Sequence, residues 1–272
     1  MNIKNVLKEN NFTFKKAFGQ NFLTDENLLG SIVERSGVTK ETPVIEIGVG
    51  GGTLTAEIAK RAKFVYGYEI DNNLKPVLQE TLKDYNNISI IYKDIMKASI
   101  TEIEEMIGEE YIMVANLPYY ITTPIIMKFI EEATLCKSIV ITIQKEVAER
   151  IVAKEKTADY GSITVSINAV ADTKIIEYIG REMFYPSPNV DSAVVKIDMN
   201  KTKYQINDIQ KFRNLVKCAF TMRRKTLVNN LMKGYSLSRE NAENLLTSQN
   251  ISVSVRGEEL SVLEFINLSN NM

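Results

Sequence analysis

The chain has 272 residues, of which 44% are hydrophobic and 25% are charged, and its formal net charge is −1; these values are normal for a globular enzyme with a full core. Histidine is absent, which excludes the commonest metal ligand and the commonest general base, so we predict no metal site and no serine or cysteine triad. No apolar run approaches the roughly 20 residues that span a bilayer, so no membrane association is predicted.

The first 16 residues hold four lysines against one acid. They lack the apolar core and the small-residue cleavage site of a secretory signal, so a cytoplasmic protein is expected. Residues 201–272 hold 11 Lys and Arg against 6 Asp and Glu, a net charge of +5, which leaves −6 for residues 1–200. The basic arm, residues 1–17 with Lys15 and Lys16, and the basic C-terminal region favour contacts with nucleic acid, although a solvated charged surface is the alternative.

Short β-rich runs alternate with helical patterns over residues 43–145. This alternation predicts right-handed βαβ units and a parallel sheet covered on both faces, with ligands bound at the carboxyl ends of the strands. From about residue 205 the pattern is helical throughout, so we predict a catalytic domain over 1–200 and a helical domain over 201–272. The predicted strands are 44–47, 64–70, 88–92, 112–115, 138–143, 175–178 and 193–197, and the predicted helices before residue 205 are 53–62, 74–83, 100–107, 124–133, 146–153 and 162–171.

The stretch VIEIGVGGGTLT, residues 44–55, is a strand that runs into a glycine-rich turn, where Gly48 and Gly50 allow a ligand to approach the backbone. Glu69 ends the second strand, 21 positions after Gly48, and could bind both hydroxyls of a ribose. Asp71 is its near competitor. Asp94 ends the third strand and could accept a hydrogen bond from an adenine amine. Together these strand ends predict a pocket for adenosine.

Two cofactors contain adenosine and fit this pocket, a nicotinamide dinucleotide and S-adenosylmethionine. The spacing G-x-G-G-G lacks the regular G-x-G-x-x-G of dinucleotide folds, and EIGVGGG resembles the methyltransferase pattern E-x-G-x-G-x-G. S-adenosylmethionine has no phosphates, so it needs a close glycine approach but no phosphate-binding loop. We therefore predict S-adenosylmethionine as the cofactor.

The fourth strand ends in Asn116-Leu117-Pro118-Tyr119, a tetrapeptide of the form [NDS]-x-P-[YF] that adenine-N6 methyltransferases carry after their fourth strand. An Asn oxygen and a nearby backbone carbonyl can accept both N–H bonds of an exocyclic amine, and Tyr119 can stack on the base. Methyl transfer from a sulfonium needs alignment more than acid assistance. Thr122 or Thr123 is predicted to cap the next helix.

The chain resembles the ribosomal RNA adenine N6,N6-dimethyltransferase family, in its small-subunit type. This resemblance implies a Rossmann-like class I S-adenosylmethionine-dependent methyltransferase sheet, followed by a small all-α C-terminal domain that binds RNA. The matching segments are FGQNFL (18–23), EIGVGGGTLT (46–55), NLPYYITTP (116–124), QKEVAERIVA (144–153), DYGSITV (159–165), FYPSPNVDSAVV (184–195) and FTMRRKTLVNNL (220–231).

The resemblance also implies roles for single residues. Asn21 and Leu23 would contact S-adenosylmethionine, Gly48 would face its methionine part, and Asn116 would lie between cofactor and target. Tyr119 and Phe184 would sandwich an adenine flipped out of its stack. In the segment MRRKTL, we predict that three cations contact RNA phosphates, with a solvated helix face as the alternative. These cations are Arg223, Arg224 and Lys225.

The substrate implied by the resemblance is a pair of adjacent adenosines in a loop near the 3′ end of 16S rRNA, each of which receives two methyl groups. The expected partner is therefore the 30S ribosomal subunit, during its biogenesis, and the expected enzyme is a monomer. Three alternatives remain open at this point: a large-subunit rRNA dimethylase of the antibiotic-resistance type, a ribosome-assembly factor without enzymatic activity, and a dinucleotide oxidoreductase.

Overall fold

The structure, a computed structural model, describes residues 3–10, 12 and 21–272 of the chain. Its strands follow the apolar runs of the sequence. All five residues of PVIEI, for example, are buried, as expected for a strand of a parallel sheet that is covered on both faces. In chain order the strands are β1 (Phe22–Leu23), β2 (Pro43–Ile47), β3 (Phe64–Glu69), β4 (Ile88–Tyr92), β5 (Tyr111–Asn116), β6 (Cys136–Gln144), β7 (Ala171–Ile179), β8 (Phe184–Tyr185) and β9 (Ser192–Met199).

Seven of these strands form one sheet in the order β4-β3-β2-β5-β6-β9-β7. The five strands from β4 to β6 pair in parallel, and β9 pairs with β6 in the antiparallel direction. The chain leaves β2 toward β3 on one side and returns to β5 on the other, which creates the switch point at which open α/β sheets bind ligands. The predicted Rossmann-like α/β sheet is therefore confirmed. A separate two-stranded sheet, β1 with β8, pairs Leu23 with Phe184.

The helices between the strands match the predicted ones closely, except at their ends. Helix α5 begins and ends as predicted, because Ser99 accepts a hydrogen bond from the Glu102 amide and Gly108 ends the helix. Helix α6 begins at Thr122, and Ile121 before it offers no side-chain cap, so the predicted cap at Thr122 or Thr123 is wrong. In chain order the helices are α1 (Ile3–Glu9), α2 (Glu26–Ser36), α3 (Thr53–Ala59), α4 (Lys75–Thr81), α5 (Ile100–Ile107), α6 (Thr122–Glu132), α7 (Lys145–Ile151), α8 (Ser162–Asn168), α9 (Ile209–Ala219), α10 (Leu227–Tyr235), α11 (Arg239–Thr247) and α12 (Val262–Asn270).

One buried carboxylate ties α5 to the amino ends of β5 and β6. Glu104 accepts hydrogen bonds from the amides of Thr134 and Leu135, each at 2.8 Å, from the Thr134 hydroxyl at 2.5 Å and from the Tyr111 hydroxyl at 3.2 Å. Burial raises the pKa of Glu104, but these donors outweigh burial and hold the pKa below its ordinary value. The ionised side chain therefore fixes the edge of the sheet opposite the carboxyl ends of its strands.

The chain divides into two compact units. The first is Met1–Ala148 with Lys174–Met199, and the second is Glu149–Thr173 with Asn200–Met272. In the second unit the Phe220 ring lies 6.2 Å from the Tyr160 ring, which shows how residues before 173 join the C-terminal helices. The predicted division into a catalytic domain and an RNA-binding domain stays a prediction. In the part of the chain that the structure describes, no helix is long and apolar enough to cross a membrane.

Candidate active site

A cavity of about 360 Å³ opens at the carboxyl ends of β2, β3, β4 and β5. Parallel strands that end together bring side chains from distant parts of the sequence to one place. Every residue predicted for catalysis or cofactor binding lines this cavity: Asn21, Leu23, Gly48, Gly50, Glu69, Asp94, Asn116, Leu117, Pro118, Tyr119 and Phe184.

The glycine-rich turn after β2 is in close contact with neighbouring segments. Gly48 has a φ of 78°, in the left-handed region that glycine adopts without a steric penalty. A Cβ atom on Gly48 would lie 3.2 Å from the Cδ2 atom of Leu117 and 3.5 Å from the carbonyl oxygen of Asn116. A Cβ atom on Gly50 would lie 2.8 Å from the ring of Phe22. Packing thus leaves no room for a Cβ atom on Gly50 unless Phe22 moves, whereas a Cβ atom on Gly48 would displace Leu117 by a few tenths of an ångström.

Glu69 places a carboxylate in the cavity at the end of β3. One of its oxygens accepts a hydrogen bond from the Gly50 amide at 2.8 Å, and the other accepts one from the Asp71 amide at 2.7 Å. Burial raises the pKa of Glu69, and these two donors oppose the rise. Of the two predicted competitors, Glu69 lines the cavity, whereas the Asp71 carboxylate accepts a hydrogen bond from the Asn73 amide in the next turn.

Asp94 lies in the short turn after β4. Its Oδ1 accepts a hydrogen bond from the Met96 amide at 2.9 Å, which orients the carboxylate at the rim of the cavity. Lys93, Met96 and Ile70 line the same rim. The sequence offered no signal for these three residues beyond their positions at the ends of predicted strands.

Asn116 ends β5 with a side chain that is held at one end. Its Nδ2 donates a hydrogen bond to the Asn21 carbonyl at 3.2 Å. The same N-terminal segment is fixed at Leu23, whose carbonyl accepts a hydrogen bond from the Thr53 hydroxyl at 3.0 Å. Within the described residues, Oδ1 of Asn116 accepts no hydrogen bond, so this oxygen can accept one from a bound molecule.

Two aromatic side chains line the part of the cavity near Asn116. Phe184 belongs to β8 and is held beside Leu23 by the short two-stranded sheet. Tyr119 follows Asn116 by three residues, and its hydroxyl lies 2.9 Å from the hydroxyl of Ser192. Burial raises the pKa of Tyr119, so its side chain is a neutral phenol near neutral pH. Sequence analysis placed Ser192 in a family motif without a role.

Glu46 is a buried acid just before the glycine-rich turn. Among the described residues, neither of its carboxylate oxygens has a hydrogen-bond partner, and the Thr55 hydroxyl lacks one as well. Burial raises the pKa of Glu46 to about 8. The Thr55 hydroxyl opposes this rise, although the geometry between the two groups does not close a hydrogen bond. Glu46 is therefore neutral in the folded protein at neutral pH.

Three of the predicted RNA-binding cations, Arg223, Arg224 and Lys225, lie in the turn between α9 and α10, within the second compact unit. Arg223 donates hydrogen bonds to the carbonyls of Ala158 at 2.7 Å and Tyr160 at 3.2 Å, so it supports the fold of that unit. Arg224 and Lys225 are exposed. The other two predicted cations, Lys15 and Lys16, lie outside the described residues.

Over residues 3–10, 12 and 21–272, no group of three or more acidic or cysteine side chains could hold a metal ion.

Residues 11–272 match the family described as ribosomal RNA adenine dimethylase. Two relatives carry the name ribosomal RNA small subunit methyltransferase A. The Clostridium botulinum (strain Langeland) protein is 46% identical over 99% of this chain and 98% of its own length. The Bacillus licheniformis protein is 43% identical over 99% of this chain and 94% of its own length.

Two solved structures have similar folds. A dimethyladenosine transferase from Plasmodium falciparum aligns with a TM-score of 0.77 at 24% identity, over 91% of this chain and 95% of its own. The 23S rRNA methyltransferase ErmE aligns with a TM-score of 0.71 at 26% identity, over 92% of this chain and 98% of its own. Because the family match and the relatives both extend over nearly all of its length, the chain belongs to the ribosomal RNA adenine dimethylase family.

Proposed function

We propose that the chain transfers methyl groups to N6 of two adjacent adenosines in a loop near the 3′ end of 16S rRNA, within the 30S subunit during its biogenesis. It acts as a monomer in the cytoplasm. The observation that carries this proposal is the geometry of Asn116. Its amide nitrogen donates a hydrogen bond to the Asn21 carbonyl, which leaves its oxygen available to a bound molecule, and Asn116 lines the same cavity as Glu69 and Asp94.

Membership of the family makes the chain an S-adenosylmethionine-dependent methyltransferase. When bound, this cofactor supplies an electrophilic methyl group on a sulfonium. The described residues fit it: each oxygen of Glu69 accepts one backbone hydrogen bond and keeps lone pairs for the ribose hydroxyls. Asp94 would accept a hydrogen bond from the adenine amine of the cofactor, and Asn21, Leu23, Gly48 and Gly50, which line the same cavity, would enclose the remainder.

The target amine is a poor nucleophile because its lone pair is delocalised into the adenine ring. Asn116 accepts one of its N–H bonds through Oδ1. The Pro118 and Tyr119 carbonyls already accept hydrogen bonds from the Ile121 amide at 3.2 Å and the Thr122 hydroxyl at 2.7 Å. Of the backbone carbonyls near Pro118, we assign the second N–H bond to that of Leu117, because the other two are already engaged once. Both acceptors localise the lone pair and direct it at the methyl group.

Tyr119 and Phe184 hold the ring of the target adenine between them, by stacking. An adenine enters this slot only after it leaves its own stack, so the substrate is a loop rather than a duplex. The proton released by the methylated amine goes to water, which is consistent with a chain that contains no histidine. Lys15, Lys16, Arg224 and Lys225 contact RNA phosphates, a contribution that weakens with salt.

Methylation of large-subunit rRNA is the second candidate, because the fold of ErmE, a 23S rRNA methyltransferase, covers 92% of this chain. The small subunit is favoured because the relatives at 43% and 46% identity are named for small-subunit rRNA.

The test uses unmethylated 30S and 50S subunits, each incubated with the purified protein and S-adenosylmethionine. Mass spectrometry of rRNA digests then measures N6,N6-dimethyladenosine. We expect the product in 16S rRNA, and an about 100-fold slower rate for Asn116→Ala. Asn86→Ala, at an exposed position before β4, should keep the wild-type rate. Dimethylation of 23S rRNA alone would overturn the choice of subunit, and no methylation of either rRNA would overturn the proposed function.

A further inference from the structure

The far end of the Tyr119 side chain is attached to the sheet by a hydrogen bond between two hydroxyls. The hydroxyl oxygens of Tyr119 and Ser192 lie 2.9 Å apart, and either can be the donor. Ser192 is completely buried, whereas Tyr119 is half-buried and lines the cavity. Most buried hydroxyls are hydrogen-bonded, and the partner of Ser192 is a residue of the candidate active site.

The near end of Tyr119 is fixed separately, through its backbone. Its carbonyl accepts a hydrogen bond from the Thr122 hydroxyl at 2.7 Å, and Thr122 is itself buried. A fixed backbone still leaves rotation about the two side-chain torsions; the first sets the direction in which the ring points, and the second sets its plane. The hydrogen bond to Ser192 restricts the first torsion because it holds the phenol oxygen, at the far end of the side chain, at one point.

Ser192 is a rigid point of attachment. It is the first residue of β9 and pairs with Gln144 of β6. The residue before it, Asp191, is held twice: its carbonyl accepts a hydrogen bond from the Lys145 amide at 3.0 Å, and its carboxylate accepts one from the Arg181 amide at 3.2 Å. The serine hydroxyl is thus positioned by the sheet, independently of any ligand.

We propose that Ser192 is a positioning residue, which sets the direction of the Tyr119 side chain and so the place of its ring beside the target adenine; this inference rests on the proposed function. The opposite wall of the slot, Phe184, is fixed by β8 through its pairing with Leu23. Residues 184–192 are therefore one continuous segment, which carries Phe184 at one end and Ser192, the partner of Tyr119, at the other. Both aromatic side chains are thus placed before the substrate arrives, so less ordering is left for the binding step.

The test compares Ser192→Ala, Tyr119→Phe and the double variant in the methylation of unmethylated 30S subunits. Tyr119→Phe keeps the stacking ring and loses only the hydroxyl. We expect each single variant to lower kcat about 3- to 10-fold, the effect of one neutral hydrogen bond, and the double variant to be no slower than either single one. The Kd for S-adenosylmethionine should stay within about twofold of the wild-type value, since the cofactor does not contact this pair.

Ser138→Ala is the matched control. Ser138 is a buried serine of β6, and its hydroxyl has no hydrogen-bond partner within the described residues, so its removal should leave kcat unchanged. Thermal melting of every variant separates a loss of folding from a loss of positioning.

Three results would overturn the inference: wild-type kcat in Ser192→Ala, wild-type kcat in Tyr119→Phe, or single effects that multiply in the double variant. The Tyr119→Phe arm decides the matter even when Ser192→Ala does not fold. If the wild-type protein methylates no adenosine in either subunit, the proposed function fails and this inference falls with it. An active wild-type protein beside an equally active Ser192→Ala variant overturns the positioning role alone.

Discussion

A methyl group added at Gly48 tests whether the contact between the glycine-rich turn and the Asn116–Tyr119 segment matters for catalysis. Gly48 and Gly108 have nearly the same backbone conformation, with φ of 78° and 74°. Alanine at either position costs about 1–2 kcal/mol of backbone strain. Around Gly108 a Cβ atom would meet nothing within 4 Å, whereas at Gly48 it would lie 3.2 Å from Leu117. Gly108→Ala is therefore a control for strain without contact.

The size of the effect follows from these distances. Carbon atoms prefer a separation of about 3.5–4.0 Å, so Leu117 must move by roughly 0.3–0.5 Å to reach the lower half of this range when Gly48 carries a methyl group. Asn116 precedes Leu117, and its carbonyl is already in van der Waals contact with the same position, at 3.5 Å, so we expect the shift to reach Asn116. A misplacement of about 1 Å costs about 100-fold in rate. If the logarithm of the rate falls in proportion to the displacement, a shift of roughly 0.3–0.5 Å lowers kcat about 4- to 10-fold. We expect this loss in Gly48→Ala.

Two measurements check this prediction. Urea unfolding should show similar losses of stability in Gly48→Ala and Gly108→Ala. Methylation of 30S subunits at saturating concentrations of both substrates should show a lower kcat in Gly48→Ala alone. An equal loss of kcat in both variants, or a wild-type kcat in a Gly48→Ala protein as destabilised as the control, would refute the reasoning.

Three further predictions concern groups outside the reacting centre. Glu104→Gln should lower the free energy of unfolding by about 2–4 kcal/mol at neutral pH. Because the pKa of Glu104 is lowered in the folded state, its contribution is complete above the unfolded value of 4.5 and is lost as pH falls through the folded pKa. Urea unfolding should therefore show that the difference in free energy from wild type disappears in acid, whereas Glu105→Gln, at an exposed position, should show no difference. Glu46, with a folded pKa of about 8, keeps a proton that the unfolded chain releases above pH 4.5, so the stability of the wild-type protein falls as pH rises between these values. Glu46→Gln lacks this titration, so its Tm should rise relative to that of wild type from about pH 5 to about pH 8. A constant difference between the two Tm values over this range would contradict the prediction. Arg223→Ala should lower the Tm because two carbonyls lose their donor, whereas Arg224→Ala should keep the Tm and reduce the salt slope of RNA binding by about 1, measured by titration at several salt concentrations.

The parts of the fold that the sequence predicted best have strong local signals. Strand β4 was predicted at its observed bounds, 88–92, and α5 at 100–107. A short apolar run bounded by polar residues defines the strand, and Ser99 and Gly108 mark both ends of the helix. Glu69, Asp94 and Asn116 were found for the same reason, because polar groups at the ends of successive predicted strands must meet at one edge of a parallel sheet, whereas Asn21, Leu23 and Phe184 were predicted only from the family resemblance.

The parts that were missed depend on contacts between distant residues. The sheet of β1 and β8 has two residues in each strand and pairs Phe22 with Tyr185, so no periodicity in the sequence could indicate it. The link from Tyr119 to Ser192 likewise joins residues 73 positions apart. Residues 149–173 join the C-terminal unit through the bonds of Arg223 to Ala158 and Tyr160 and through the packing of Phe220, none of which leaves a local pattern.

The order of strands explains why these particular side chains suffice for the proposed reaction. In the sheet, β4, β3, β2 and β5 are successive neighbours, and their ends carry Asp94, Glu69, Gly48 and Asn116. Neighbouring strands lie about 4.8 Å apart, so the four ends span roughly 14 Å in a line. Under the proposed function, Asp94, Glu69, Gly48 and Asn116 would contact the adenine, the ribose, the methionine part and the target amine, in this order along the sheet. The spacing of the residues that would hold the cofactor is thus set by backbone hydrogen bonds of the sheet, and Ile47 paired with Ala115 brings Gly48 beside Asn116. A site built this way holds its reacting atoms through the sheet itself, which is why its chemistry can depend on alignment.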